Sequence, residues 1–165
     1  MPPQQNPLSA TDANPLELTL VRAGQDLPAW ADRATLVAFL HEYLKPYQDT
    51  LPDIGRGLDD ALGNRPGPGG FVLLARRQDR LVGALVMLRT GMKGYIPENL
   101  LLFVAVDGEQ RGQGIGAALV REALAHCEGA VKLHVEHDNP ARHLYERLGF
   151  HSKYLEMRFS KPEGP

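Results

Sequence analysis

Leu16, Leu18 and Leu20 alternate with Glu17 and Thr19, a period of two that predicts a half-buried strand over 16–20. Asp26 and Pro28 then offer a cap and a first turn for a helix. Within that helix Leu36, Val37, Leu40 and Leu44 recur at helical spacing, until Pro46 closes it. A second, weaker helix is expected over 53–62, and the Pro/Gly-rich stretch 63–70 is a loop. Two apolar runs, 71–75 and 81–88, flank a polar Arg-Arg-Gln-Asp-Arg turn and predict an antiparallel hairpin. A loop at 91–97 leads into 100–106, apolar on both faces and therefore a central strand.

From there the pattern alternates. Ile115, Leu119, Ala123 and Cys127 share one face of a helix over 114–127, which Gly129 ends. A strand over 131–136 turns Leu133 and Val135 to one side, His134 and Glu136 to the other. A helix over 139–148 stops at Gly149, and a last strand is expected over 154–159. The sum is a mixed α/β domain of about six strands, antiparallel in its first half and crossing over later.

Composition narrows this picture without changing it. With 165 residues and 43% of them hydrophobic, the chain fits one domain over 16–160. Residues 1–15, rich in Pro, Gln and Asn, are expected to form a disordered tail. Eighteen basic against 20 acidic residues give a net charge of -2, which implies no general attraction to nucleic acid or to an anionic membrane. A single cysteine excludes an internal disulfide framework. The first residues carry neither a basic leader nor an apolar core, and no apolar run is long enough to span a bilayer, so a cytoplasmic location is expected.

The sharpest chemical signal follows the central strand: Val-Asp-Gly-Glu-Gln-Arg-Gly-Gln-Gly-Ile-Gly over 106–116. Glycines at a strand-to-helix turn expose backbone N–H groups, and a helix start adds unpaired donors and partial positive charge, together a seat for phosphate. Gly112, Gly114 and Ala117 also fit a dinucleotide fingerprint, with Glu136 about twenty residues on. Against it, three strands and two helices precede the turn and too few strands follow. A nucleoside-triphosphate loop is excluded because no Gly-Lys-Ser/Thr follows.

Here the chain resembles the GNAT superfamily of N-acetyltransferases. Arg111, Gly112, Gln113, Gly114, Ile115 and Gly116 match that family's acetyl-CoA signature, Gln/Arg-x-x-Gly-x-Gly/Ala. Asn-Pro-Ala-Arg-His-Leu-Tyr-Glu-Arg-Leu-Gly-Phe over 139–150 is similar to its second motif. The resemblance implies a central mixed sheet with helices on both faces, and transfer of an acetyl group from acetyl-CoA to a primary amine without a metal. It implies that the backbone of 111–116 holds the pyrophosphate and that the backbone of Phe103, Val104, Ala105 and Val106 pairs with the pantetheine arm. Residues 133–136 are expected to splay away and make room. Tyr145 takes the general-acid position. Asn139 falls six positions before it, where the family commonly has seven and this chain has Asp138.

For the base, the candidates are His134, Glu136 and Glu98. An amine must be neutral to attack, and imidazole or carboxylate can accept its proton directly or through water. Glu42, Asp49, Asp53, Asp59 and Asp60 against Lys45 and Arg56 predict an acidic rim for a cationic acceptor, small molecule or protein amine, with Glu42, Tyr43 and Tyr47 lining it. His134, Glu136, His137, Asp138 and His143 look like a metal cluster but are not expected to be one, because His134 and His137 fall on opposite faces of a strand. Cys127 is a core residue, and Arg76, Arg77 and Arg80 form a solvated hairpin tip. With room for one strand after Gly149, an exposed sheet edge is expected, covered by a second subunit in a homodimer. A non-catalytic acetyl-CoA-binding module remains the competing function.

Overall fold

The computed structural model describes residues 14–164, so most of the tail expected over 1–15 lies outside the described residues. Five strands form one sheet in the order β1 (Glu17–Arg22), β2 (Gly70–Arg77), β3 (Arg80–Arg89), β4 (Asn99–Val106) and β5 (Val131–Leu133). β1 to β4 pair antiparallel, and β5 joins β4 in parallel. The β2–β3 turn is carried by Gln78 and Asp79, both at positive φ, as a two-residue hairpin requires.

Helices cover both faces, as expected. α1 (Arg33–Tyr43) and α2 (Leu51–Leu62) bury Leu36, Phe39, Leu40, Ile54 and Leu58 against Val72, Leu74, Val86 and Phe103. α3 (Ile115–Ala125) and α4 (Ala141–Arg147) cover the other face, where Ile115, Leu119, Val120 and Tyr145 meet Leu73, Leu85, Met87 and Leu101. Because β2 and β3 are buried on both sides, they carry unbroken apolar runs. α1 begins later than the cap expected at Asp26: the side chain of Asp32 accepts from Thr35 N–H at 2.8 Å and starts the helix. Thr50 caps α2 in the same way, and Gly63 in the left-handed region ends it.

One irregularity matters for function. Register along β4 shifts between its partners Val86 and Met87, leaving Leu102 as an extra residue. Leu101 therefore packs under α3 and α4, while Leu102 and Phe103 both pack toward α1 and α2. The approach there is close: a Cβ at Gly57 of α2 would lie 2.5 Å from Leu102 and 3.1 Å from Phe103. β5 pairs only with Asn99, Leu100 and Leu101, so it leaves β4 at the bulge.

The sixth strand is not formed. Residues 150–164 contain no strand, and Tyr154, Leu155, Met157 and Phe159 are at least 78% exposed. A period-two pattern becomes a strand only where a neighbour supplies the hydrogen bonds, and among the described residues no strand pairs with this segment.

Candidate active site

A cleft of about 560 Å³ opens where β4 and β5 part, between the start of α3, α4 and the turn after α1. Its floor is the end of β4, at Val104, Ala105 and Val106. On one side these residues bond to β3 as far as the Val106–Gly83 pair. On the other, beyond Leu101, they have no strand partner, so their backbone groups face the cleft.

The glycine turn forms one end. Gly114 is the N-cap of α3 at φ +80°, with no side chain capping the helix, and Gly112 is at φ +78°. A Cβ at either meets nothing within 4 Å, so glycine is required here by backbone conformation rather than by space. The uncapped start of α3 leaves the N–H groups of Ile115, Gly116 and Ala117 without intrahelical acceptors. Every charged side chain lining the cleft is cationic: Lys45, Arg111 and Arg147. Unpaired amides with three positive charges suit a polyanion, and an open strand edge suits an amide-bearing arm.

The turn is braced from the hairpin that the sequence reading treated as a solvated tip. Arg77 donates from Nη1 to the side-chain oxygens of Gln110 (3.1 Å) and Gln113 (2.5 Å). Arg80 pairs at 3.2 Å with Asp107, which is only 3% exposed and caps the short 3-10 turn Gly108–Gln110 through Glu109 N–H. Arg76 pairs with Glu17 and lies over the ring of Trp30. Arg111 donates to the carbonyls of Tyr43 (2.8 Å) and Val106 (3.3 Å), fastening the turn to α1. All of these are pairings across the sheet or between layers, which local spacing does not reveal.

Tyr145 sits in the middle of the cleft wall, 8% exposed, its ring edge-on to Phe150 at 5.9 Å. Burial, then the charge of Glu136, pushes its phenol up to about 12. Asn139 lines the cleft too, but its side chain is occupied by Ala141 N–H at 2.9 Å and Glu136 at 3.3 Å, so it organises the start of α4. Tyr43 and Tyr47 line the opposite wall, and Tyr47 donates to the carbonyl of Asp138 at 3.3 Å, bridging the cleft mouth. Burial raises the Tyr47 phenol, with Asp138 and then Glu136 adding to it. Tyr43 is likewise raised by burial, then by Asp107.

Other candidates are not brought together here. His134 lies beyond the end of β5, exposed, and does not line the cleft. Glu98 lies before the opposite end of β4, where it accepts from Ala130 N–H (2.8 Å) and Gly94 N–H (3.3 Å), bonds that lower its carboxyl below the usual range. Phe103 turns its side chain into the core. The expected acidic rim is neutralised by ion pairs: Glu42 with Lys45, Asp53 with Arg56, Asp59 with Arg33 and Asp60 with Arg65. None of these carboxylates lines the cleft, and the acidic groups that act on Tyr47 at its mouth are Asp138 and Glu136, which do not line it either. Among the described residues, no group of three or more His, Cys, Asp or Glu side chains is placed to hold a metal ion.

A glycine turn at the start of α3, a strand pair that splays at a bulge and a buried tyrosine on α4 together surround the cleft. A family model described as an acetyltransferase (GNAT) domain matches residues 68–152, over half the chain, and the chain belongs to that family. The mycothiol acetyltransferase of Nocardiopsis dassonvillei is 33% identical over 150 residues, covering 84% of this chain and 43% of that one. That of Gordonia bronchialis is 39% identical over 66 residues, covering 37% and 21%. The chain thus spans less than half the length of these relatives. In fold it is similar to the aminoglycoside N-acetyltransferase AAC(6')-Iy in complex with CoA, with TM-score 0.67, 10% identity and coverage of 92% and 97%. It is also similar to a GNAT family acetyltransferase from Streptococcus pneumoniae, with TM-score 0.63, 18% identity and coverage of 90% and 99%.

Proposed function

We propose that this chain transfers an acetyl group from acetyl-CoA to the primary amine of a small cationic molecule. The observation that carries it is the open edge of Val104, Ala105 and Val106 beside the uncapped start of α3. The cofactor supplies an activated acyl thioester. Backbone N–H groups of 112–117, with Lys45, Arg111 and Arg147, hold the phosphates. The free edge of β4 takes the amide arm as an added strand, and one of its N–H groups stabilises the charge that grows on the acyl oxygen.

Tyr145 keeps its Oη proton at any working pH and presents it to the leaving sulfur. Complete transfer from a phenol at about 12 to a thiolate, whose usual pKa is ~8.5, runs uphill by about 5 kcal/mol. Its contribution is therefore a hydrogen bond to developing charge, completed as the amine's proton is released. Glu136, close enough to act electrically on both Tyr145 and Tyr47, accepts that proton. It lies outside the buried wall, so transfer through water is expected. Glu136 and Asp138 with the Tyr47 ring also give the mouth the negative and aromatic character that attracts an ammonium group. The similarity to mycothiol acetyltransferases in sequence and to an aminoglycoside acetyltransferase in fold supports a small-molecule acceptor.

Calorimetric titration with acetyl-CoA, with NADH as control, tests the cleft. Amine-dependent thiol release then tests turnover. Binding of acetyl-CoA alone followed by turnover with at least one amine is expected. Binding without turnover on any amine in a broad screen selects the non-catalytic module, and NADH binding revives the dinucleotide reading.

A further inference from the structure

A second cleft, of about 800 Å³, lies at the start of β4 and takes no part in the chemistry above. Its floor is the last apolar row of the core on the α3 side, where Phe71 is 2% exposed and edge-on to the ring of His126 at 6.2 Å. Beyond that row the sheet carries charge. Arg22 follows Leu18 and Leu20 on the α3 face and stands opposite Phe71. Arg89 follows Met87 on the same face and stands opposite Asn99. Between them the chain supplies only Phe71, Gly70 and Gly69, so past the ring no side chain separates the two arginines. Their strands lie two spacings apart, roughly 10 Å, a gap that two guanidinium side chains span together.

Among the described residues neither guanidinium forms an ion pair or a hydrogen bond, although Glu98 and Glu128 line the same cleft. These two carboxylates belong to the other wall. Glu98 is held there by the N–H groups of Ala130 and Gly94, and Glu128 follows the end of α3, whose last carbonyls add partial negative charge. The cleft is thus divided, with guanidinium groups on the sheet and acids with a helix C-terminus across from them. Burial raises the Cys127 thiol and the charge of Arg89 draws it back down, so that charge is felt inside the cavity. A plain anion would leave the acidic wall unmatched, and a plain amine would leave the arginines so.

We propose that this cleft binds a small zwitterion, an α-amino acid with an apolar side chain. Its carboxylate lies between Arg22 and Arg89, its ammonium group toward Glu128 and Glu98, and its side chain on Phe71 and Met92. Guanidinium groups match the two oxygens of a carboxylate, and a helix C-terminus favours a cation. The site is at the opposite end of β4 from the cofactor cleft, and the proposal is independent of the activity proposed above.

Cys127 is the only cysteine in the chain and lines the cleft, so its alkylation by iodoacetamide, followed by intact mass, reads occupancy without any turnover. L-Leucine, L-methionine or L-phenylalanine at ~10 mM fills a site of millimolar Kd, and at least one is expected to slow alkylation ~5-fold or more. The N-acetyl form of that amino acid lacks the ammonium group and its amide lacks the carboxylate; each is expected to slow alkylation less than ~2-fold. Arg22→Gln with Arg89→Gln is expected to abolish the protection, measured against the variant's own rate without ligand. Both arginines are exposed, so native circular dichroism is expected to persist, and the N-acetyl and amide probes test the natural sequence without any substitution. No protection from any of the three amino acids overturns the proposal. So does protection by the N-acetyl form or the amide equal to that of the parent, or protection that survives the double substitution.

Discussion

β4 has a cavity at each end, and the larger one is not the candidate active site. At its start, a cleft of about 800 Å³ is lined by Arg22, Arg89, Glu98, Cys127 and Glu128, among others. There β4 is flanked by β3 and β5, and the side chains of Asn99 and Glu98 are already engaged. Asn99 donates from its side chain to the carbonyls of Glu128 (2.7 Å) and Ala130 (3.2 Å), and Glu98 accepts from Ala130 and Gly94. At the far end β5 has left, the glycine turn leaves helix donors free, and a cleft of about 560 Å³ collects cationic side chains. The difference lies in unspent hydrogen-bonding capacity, not volume. A ligand gains most where backbone groups still lack partners.

Replacing Tyr145 by Phe tests that contrast most severely. The ring stays packed against Phe150 and only the hydroxyl is lost. Turnover is expected to fall ~100-fold or more, the scale of a lost proton donor, with acetyl-CoA affinity changed less than ~3-fold. Steady-state thiol release and calorimetry on the same preparation separate the two. Equal losses in both would make Tyr145 a packing residue.

Gly114→Ala comes next. The left-handed N-cap conformation costs an alanine about 1–2 kcal/mol, and relief of that strain turns the N–H groups away from the cleft. A ~10-fold loss of acetyl-CoA affinity is expected. Arg77→Met, which cuts the brace to Gln110 and Gln113, is expected to weaken binding ~3–10-fold while the melting temperature moves little. If Arg77→Met leaves affinity unchanged, the turn holds its shape without the hairpin.

The contrast between the two ends was partly legible in the residues themselves. Glycines at a strand-to-helix junction require a special backbone wherever they occur, so the turn over 111–116 was readable from type and order. The apolar runs of β2 and β3 were readable because burial on both faces leaves few polar positions. What failed depended on partners far away in the chain. The Arg76, Arg77 and Arg80 cluster meets Glu17, Gln110, Gln113 and Asp107, from 27 to 59 residues distant. The acidic residues of α1 and α2 looked like a field because their ion-pair partners were not all counted, Arg33 and Arg65 among them. His134 was placed by extending β5 past the point where its pairing stops. The last strand failed for the same reason: alternation states readiness to pair, and among the described residues no strand lies beside it.

Tyr145 also marks the cleft end in alkaline stability. In the unfolded chain its phenol ionises near 10, whereas in the folded protein it does so near 12. Between those values the unfolded state gives up a proton that the folded state keeps, so folding stability falls as pH rises through this window. About 3 kcal/mol is involved at full extent. Urea midpoints from pH 9.5 upward are expected to decline less steeply for Tyr145→Phe than for the natural sequence. Parallel declines would mean that the hydroxyl is better solvated than its burial implies.

At the other end, Glu98→Gln is expected to leave turnover unchanged within ~2-fold, since the carboxylate is committed to loop N–H groups away from the cleft. Its effect belongs to acid stability. The carboxyl is held below its ordinary 4.5 by the N–H groups of Ala130 and Gly94, so its contribution is present above the unfolded value and disappears as pH falls through the lower, folded one. The natural sequence is therefore expected to exceed the glutamine variant in urea midpoint at neutral pH, and the difference to shrink as pH falls below 4.5 and through the lower, folded value. A large loss of turnover with unchanged binding would instead make Glu98 a proton acceptor through water. That outcome would erase the distinction between the two ends of β4, because a group with its hydrogen bonds already made would then be taking part in the chemistry.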